Sequence, residues 1–246
     1  MRRTNVGRTN VRRTTVNRTA ETRTAETPAT ENRTAETRTA ETRWPSVLIV
    51  PGMRDHVPDH WQTLLAERIP GARTVPPLTR DRLSRAAQVA ALDAAVAEPV
   101  PSPVVLVAHS AGVMTTVHWA ARGNGNRVAG ALLAAPPDFE TPLPEGYPGP
   151  GALRDHGWLP TPRVPLPFPS IVAASTDDPL AGFGRVADLA RAWGSRLVDL
   201  GPVGHLNPAA GYGAWPRAEE FVRELGRAGS REAGATAPGH APRHPS

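Results

Sequence analysis

The chain has 246 residues, of which 39% are hydrophobic, enough for one well-packed core, and its lack of cysteine excludes disulfides and thiolate metal sites. The formal net charge of +5 lies entirely in residues 1–43, where 10 Arg face 5 Glu, whereas the other 203 residues hold 18 Arg and 18 Asp or Glu. No apolar run approaches the roughly 18 residues of a membrane span, and no apolar segment typical of a signal peptide follows the first arginines. We therefore expect a cytoplasmic protein with an electrically balanced globular part.

Residues 1–43 form a five-residue repeat, which from Arg3 reads RTNVG, RTNVR, RTTVN, RTAET, RTAET, PATEN, RTAET, RTAET. A solenoid would need a bulky apolar residue in each turn, but the central positions hold Ala, Asn or Thr. The composition instead predicts a disordered tail. Binding of nucleic acid or anionic surfaces by its arginines is a further hypothesis, but the interleaved glutamates weigh against it, and we expect no nucleic-acid partner.

Between this tail and a second tail predicted at 229–246, short apolar runs alternate with helical patterns over residues 44–228. This alternation predicts a single α/β domain with a mostly parallel sheet of about six strands covered by helices on both faces. The predicted strands are 47–50, 73–75, 104–108, 128–134, 170–174 and 196–200. The predicted helices are 59–68, 84–97, 111–122, 184–193 and 214–225. Residues 139–169 hold nine prolines without clear periodicity, which indicates a functional connection such as a lid or cap.

The segment VVLVAHSAGVMTTVHWAA, residues 104–121, places Ser110 between a predicted strand and a predicted helix. A hydrolase nucleophile occupies such a sharp turn, which lifts its hydroxyl above the sheet. The small residues Ala108 and Gly112 allow the turn, although glycine is usual at the first of these positions. Ser110 has an alternative role as a helix N-cap. We expect His109 to be a packed residue of the turn, since a neighbour in sequence points away from the hydroxyl.

Candidate partners for Ser110 follow two later strands. An acidic turn, STDDP at 175–179, comes after the fifth strand, and a glycine-rich loop with His205 comes after the sixth. Chemistry in open α/β sheets gathers at the carboxyl ends of strands, and the chain order Ser, Asp, His is that of the α/β-hydrolase fold. The sequence thus predicts Ser110 as nucleophile and His205 as base, with Asp177 or Asp178 orienting the base.

The loop after the first strand is expected to complete the site. The backbone N–H groups of Met53 and Ala111 are the predicted oxyanion donors, and Gly52 and His109 are predicted to border the substrate. The remaining histidines show no metal-ligand spacing with carboxylates, so we expect neither a metal nor a cofactor. The histidines considered are His56, His60, His118 and His156, which precede the predicted C-terminal tail.

Several segments together resemble the retinoblastoma-binding-protein-nine-like (YdeN-type) serine hydrolases. They are VLIVPG, DHWQ at 59–62, HSAG, LPFPS at 166–170, STDDP, WGSRLVDLGPVGHLN and GYGAWP at 211–216. The resemblance covers roughly residues 44–226 and implies a compact α/β-hydrolase domain with a short or absent cap. In that family the acid precedes a proline, which implies Asp178 beside Ser110 and His205. Ala108 in place of glycine and the N-terminal repeat depart from the family pattern.

The leading functional hypothesis is hydrolysis of a small acyl ester, thioester or amide through an acyl-enzyme. The alternative is a non-catalytic protein-interaction module on the same fold. An intact set of Ser110, Asp178 and His205 favours the enzyme, because a binding module needs none of this chemistry. The expected partner is therefore a small acyl substrate, with no membrane involved, and the oligomeric state is left open.

Overall fold

A computed structural model of the protein describes residues 44–53, 57–100 and 103–235, with side chains up to residue 229. The predicted disorder of residues 1–43 and of residues 236–246 lies outside this part of the chain. So does His56. No helix in the described part has the length and apolar composition needed to cross a membrane.

Six parallel strands form one sheet in the order β2-β1-β3-β4-β5-β6. The strands are β1 (Ser46–Val50), β2 (Arg73–Thr74), β3 (Val104–His109), β4 (Val128–Ala134), β5 (Ser170–Ala174) and β6 (Arg196–Asp199). β3 and β4 are buried along their whole length, as expected for apolar strands covered on both faces. Because the strands run in the same direction, the loops after β1, β3, β5 and β6 emerge at one edge of the sheet.

Helices cover both faces of this sheet, as predicted. They are α1 (Trp61–Arg68), α2 (Arg85–Ala97), α3 (Ala111–Ala120), α4 (Pro150–Asp155), α5 (Phe183–Ala192) and α6 (Pro216–Ala235). One core packs α2, α3 and α5 against the sheet and includes Leu92, Val113 and Leu189. The other packs α1 and α6 against the opposite face through residues such as Leu65 and Val222.

The predicted C-terminal boundary differs from the structure. We expected the last helix to end at residue 225 and a loose tail to begin at 229, yet α6 continues to Ala235. Two glycines of α6 are packing residues. A Cβ on Gly229 would lie 2.5 Å from the Cα of Ala129, and one on Gly226 would lie 2.8 Å from the Cβ of Pro45. Glycine therefore lets α6 approach the sheet closely at these positions.

The proline-rich connection between β4 and β5 contains α4, which the sequence did not predict, and is anchored by Trp158. This side chain is fully buried, and its Nε1 donates to the carbonyl oxygen of Leu83 at 2.6 Å. Its own carbonyl accepts a hydrogen bond from Nε2 of His118 on α3 at 3.0 Å. Burial lowers the pKa of His118 to about 4. Around Trp158, Phe139 and Leu153 pack on the first turns of α3. The connection is thus a short cap beside Ser110.

Candidate active site

Ser110 lies in the sharp turn between β3 and α3. Its backbone has φ 54° and ψ −125°, a positive φ that costs energy for a residue with a Cβ. The backbone N–H of Ser110 donates to the carbonyl of Ala134 at 3.0 Å, which fixes the turn to the end of β4. This is the strand–turn–helix geometry that presents a serine hydroxyl above the carboxyl edge of a sheet.

Close backbone contacts join this turn to the loop that follows β1. A Cβ on Gly112 would lie 2.2 Å from the carbonyl oxygen of Val50 and 2.6 Å from that of Pro51, so only glycine fits. A Cβ on Gly52 would lie 3.2 Å from the Cβ of Ser110, which places that loop directly against the serine. Ala108, where glycine is usual, is fully buried in β3, and its methyl group is accommodated in the core.

A continuous chain of hydrogen bonds links Ser110, His205 and Asp178. The Oγ of Ser110 lies 2.8 Å from Nε2 of His205. On the other side of the ring, Nδ1 lies 2.8 Å from Oδ2 and 3.0 Å from Oδ1 of Asp178. Because a carboxylate only accepts, Nδ1 carries the proton and Nε2 is left to accept from the serine hydroxyl. The backbone N–H of Leu180 donates to Oδ1 of Asp178 at 2.8 Å and holds the carboxylate in place.

The sequence pattern alone did not decide whether Asp177 or Asp178 orients His205. In the structure the two aspartates contact different groups. Asp178 binds the ring of His205, whereas Oδ1 of Asp177 accepts from the backbone N–H of Gly204 at 2.7 Å. Asp177 also accepts from the Oγ of Ser175 at 2.7 Å. The Ser175 hydrogen bond, followed by that from Gly204, lowers the pKa of the Asp177 carboxyl. No local sequence pattern indicates the contact between Asp177 and Gly204, because it joins two loops that are distant in the chain.

His109 is buried beneath the turn, as expected, and contacts the loop that carries the other histidine. Its Nε2 donates to the backbone carbonyl of His205 at 2.9 Å. Burial, followed by the proximity of His205 and His60, holds the pKa of His109 well below its usual value. The ring therefore stays neutral near pH 7, with its proton on Nε2.

A cavity of about 440 Å³ opens beside the Ser110 hydroxyl. It is bordered by all the residues predicted for the site except Asp178, which lies behind the ring of His205. Its walls are mainly apolar and are supplied in part by the β4–β5 connection. The apolar residues lining it include Met53, Leu83, Phe139, Leu143, Tyr147 and Leu180.

Gln62 is a buried residue of the cavity wall whose role the sequence did not reveal. Its Nε2 donates to the carbonyl oxygens of Val50 at 3.2 Å and Val107 at 2.9 Å. These bonds join the ends of β1 and β3 next to the loop that holds Gly52. A polar residue on the buried face of a short helix was the signal available in the sequence. In the described residues, His, Asp and Glu side chains form no group of three or more that could hold a metal ion.

Comparisons with known proteins identify the family and the fold of the chain. A family model for serine hydrolases matches residues 47–224. A YdeN-like hydrolase from Pectobacterium atrosepticum is 27% identical, with a TM-score of 0.63 over 80% of this chain and 98% of its own. The ydeN product of B. subtilis is 19% identical, with a TM-score of 0.58 and coverage of 74% and 98%. Esterase 2 of Thermogutta terrifontis is 18% identical, with a TM-score of 0.51 and coverage of 80% and 87%.

The last two similarities, at low identity, show the shared fold. No curated protein matches the chain by sequence. The predicted α/β-hydrolase fold and the resemblance to YdeN-type enzymes are both confirmed. Since the family model spans most of the chain, the protein belongs to the serine hydrolase family.

Proposed function

We propose that this serine hydrolase cleaves small acyl esters, thioesters or amides through an acyl-enzyme on Ser110. The observation that carries the proposal is the unbroken hydrogen-bond chain from Ser110 through His205 to Asp178, which ends at an apolar cavity. A serine hydroxyl is a weak nucleophile near neutral pH and needs a neutral imidazole to accept its proton. The observed arrangement of atoms meets this requirement.

In the proposed mechanism, the Oγ of Ser110 attacks the substrate carbonyl carbon while Nε2 of His205 takes the hydroxyl proton. Asp178 holds the ring in the required tautomer and stabilises the imidazolium. The imidazolium then protonates the leaving alcohol, thiol or amine as the bond to the carbonyl carbon breaks. In the second half, His205 takes a proton from water as the water attacks the acyl carbon. His205 then returns that proton to the Oγ of Ser110 as the acyl–oxygen bond breaks, which releases the acid and the free serine.

The negative charge that develops on the carbonyl oxygen needs donors that are already in place. We assign this role to the backbone N–H groups of Met53 and Ala111. Ala111 is the first residue of α3, so its N–H points out of the helix N-terminus. The tight contact of Gly52 with Ser110 supports the assignment of Met53, because it brings the following residue to the hydroxyl.

The walls of the cavity favour an apolar acyl group. A volume of about 440 Å³ is in the range of small-molecule sites, and the side chains of Phe139, Leu143 and Leu180 offer hydrophobic contacts. That the fold also carries an esterase, in Thermogutta terrifontis, is consistent with ester substrates. Short p-nitrophenyl esters are therefore the first substrates to test.

The test compares the full chain with Ser110→Ala on p-nitrophenyl acetate and butyrate, together with labelling by a fluorophosphonate probe. Ser195→Ala is the control, because this serine lies before β6, at the opposite edge of the sheet, and its Oγ binds that of Ser170 at 2.6 Å. We expect Ser110→Ala to lose both turnover and labelling, and Ser195→Ala to keep both. Undiminished hydrolysis by Ser110→Ala would refute the proposal. A wild-type chain that neither turns over esters nor takes the label would favour the interaction module.

A further inference from the structure

The loop after β6 that carries His205 is held at three consecutive residues by side chains outside the Ser-His-Asp set. The N–H of Val203 donates to the Oγ of Ser175 at 3.2 Å. The N–H of Gly204 donates to Oδ1 of Asp177 at 2.7 Å. On the other side, the carbonyl of His205 accepts from His109 at 2.9 Å. The backbone on both sides of the His205 side chain is thereby fixed.

Ser175 and the exposed Asp177 are joined by two hydrogen bonds. The Oγ of Ser175 donates to Oδ1 of Asp177 at 2.7 Å and accepts from the backbone N–H of Asp177 at 3.3 Å. Ser175 is only 1% exposed and directly follows β5, so its hydroxyl is held by the sheet. The same turn supplies Asp178. One short segment therefore binds both the ring of His205 and the backbone that leads to it.

Three residues of this loop have a positive φ. Gly201 and Gly204 have φ values of +73° and +58°, and Leu206, at +49°, adopts a conformation that costs energy for a residue with a side chain. Glycine has more accessible backbone conformations than other residues. In a loop with two glycines, contacts with other groups are therefore needed to keep the His205 side chain in one position. Without restraint, Nε2 of His205 would sample positions away from the Ser110 hydroxyl.

We propose that Ser175 and Asp177 are positioning residues that lock the backbone of residues 203–204, so that Nε2 of His205 stays within hydrogen-bond distance of Ser110. This inference rests on the proposed function, because it concerns the base of that reaction. The lowered pKa of Asp177 agrees with an ionised acceptor, which forms stronger hydrogen bonds than a neutral one.

The experiment compares Asp177→Ala with Asp177→Asn in the full chain. Oδ1 of Asp177 accepts both hydrogen bonds, so the single carbonyl oxygen of asparagine can replace it, whereas alanine offers no acceptor. We expect Asp177→Ala to lower kcat for p-nitrophenyl acetate by roughly tenfold with little change in KM, because misplacement of a reacting group by an ångström costs about 100-fold. Asp177→Asn should restore most of the rate. Asp188→Ala, which removes an exposed acid on α5, is the matched control and should keep the wild-type rate.

Two further measurements separate positioning from folding and from the proposed function itself. Titration with a fluorophosphonate probe gives the concentration of active sites. Dividing the rate by this concentration makes kcat refer to the folded enzyme alone. Amide hydrogen exchange reports directly on the N–H groups of Val203 and Gly204, whether or not the ester is a substrate. We expect these two groups to exchange faster in Asp177→Ala and as slowly as in the wild type in Asp177→Asn.

Unchanged exchange in Asp177→Ala, or faster exchange without a fall in kcat, overturns the positioning role. An Asp177→Asn variant as slow as Asp177→Ala overturns it as well, because the acceptor geometry would then not be the cause. Failure of the proposed function would be seen differently, whatever the exchange of Val203 and Gly204. Either Ser110→Ala would remain as active as the wild type, or the wild type would neither hydrolyse the esters nor take the fluorophosphonate label.

Discussion

Asp177 and Asp178 are neighbours in the chain, yet they bind different parts of one loop: Asp178 binds Nδ1 of His205 at 2.8 Å, and Asp177 binds the N–H of Gly204 at 2.7 Å. The Asp178 contact orients the imidazole ring and sets its tautomer. The Asp177 carboxylate contacts only the main chain of the loop, at Gly204. The same chemical change at the two positions should therefore have different effects.

Substitution of each aspartate by asparagine tests this difference. In Asp178→Asn, the amide can present its NH₂ to Nδ1 of His205, which stabilises the tautomer with the proton on Nε2 and leaves no acceptor for the serine proton. We expect kcat to fall by roughly 10⁴-fold. Asp177→Asn keeps its acceptor and should stay near the wild-type rate. Initial rates on p-nitrophenyl acetate, with circular dichroism as a check on folding, measure both. Equal losses in the two variants would contradict the assignment of Asp178.

Gly112→Ala should destabilise the protein. The added Cβ would overlap the carbonyl oxygens of Val50 and Pro51, at 2.2 and 2.6 Å, so the start of α3 must move. Such overpacking costs about 1–3 kcal/mol in the free energy of unfolding, and the shift also moves Ser110. Gly184→Ala is the matched control, because nothing lies within 4 Å of its Cβ and alanine favours the helix. Urea unfolding measures both, and a Gly112→Ala variant as stable as Gly184→Ala would contradict the close approach.

Leu143→Trp should shorten the range of acyl chains that the enzyme accepts. Leu143 lines the cavity, and a larger side chain there fills part of the space that we assign to the acyl group. One methylene in a hydrophobic pocket is worth about 1–3 kcal/mol, so kcat/KM for p-nitrophenyl octanoate relative to acetate should fall by roughly tenfold or more. Val164→Trp is the control, since Val164 belongs to the same connection but is 50% exposed. An unchanged preference in Leu143→Trp would place the acyl group elsewhere.

His118 should make the free energy of unfolding depend on pH. Its pKa in the folded protein is lowered to about 4 by burial, while the unfolded chain has the usual value of 6.5. As the pH falls from about 6.5 toward 4, the unfolded state takes up a proton that the folded state does not, so stability decreases. The contribution between pH 7 and pH 5 is about 2 kcal/mol.

His118→Gln removes this proton uptake and keeps a donor for the carbonyl of Trp158. Denaturant titrations of both proteins at pH 7 and pH 5 should show a smaller loss of stability in the variant. The buried His109, whose pKa is also lowered, contributes in the same direction and is present in both proteins. An identical loss in the two proteins would show that His118 does not contribute.

Much of the sheet was predictable because its strands are short apolar runs buried on both faces. Strands β4 and β5 agree with the predicted bounds, and the other strands differ by a residue at one end. A strand buried on both faces is apolar along nearly its whole length, so the apolar run in the sequence marks its bounds. The grouping of Ser110, the STDDP turn and His205 at one edge followed from the parallel topology, which places the carboxyl ends of strands together.

Predictions failed where long-range packing overrides local signals. Prolines hid the helix α4, whose connection is ordered by Trp158 rather than by periodicity. The tail predicted from residue 229 begins inside α6, where Gly226 and Gly229 permit close packing of the helix. The contacts of Asp177 and Gln62 join segments far apart in the chain, so no local pattern contains them.

The β4–β5 connection, anchored by Trp158, supplies much of the cavity lining but none of the Ser-His-Asp set. The groups that we propose to react follow β3, β5 and β6, whereas Phe139, Leu143 and Tyr147 belong to the β4–β5 connection, whose Trp158 is buried and hydrogen-bonded to Leu83 and His118. We therefore expect that substitutions within residues 139–148 change the lining of the cavity without moving the ends of the strands. For the same reason, a mutant library confined to that segment tests whether the substrate range can change while the proposed acyl transfer is kept.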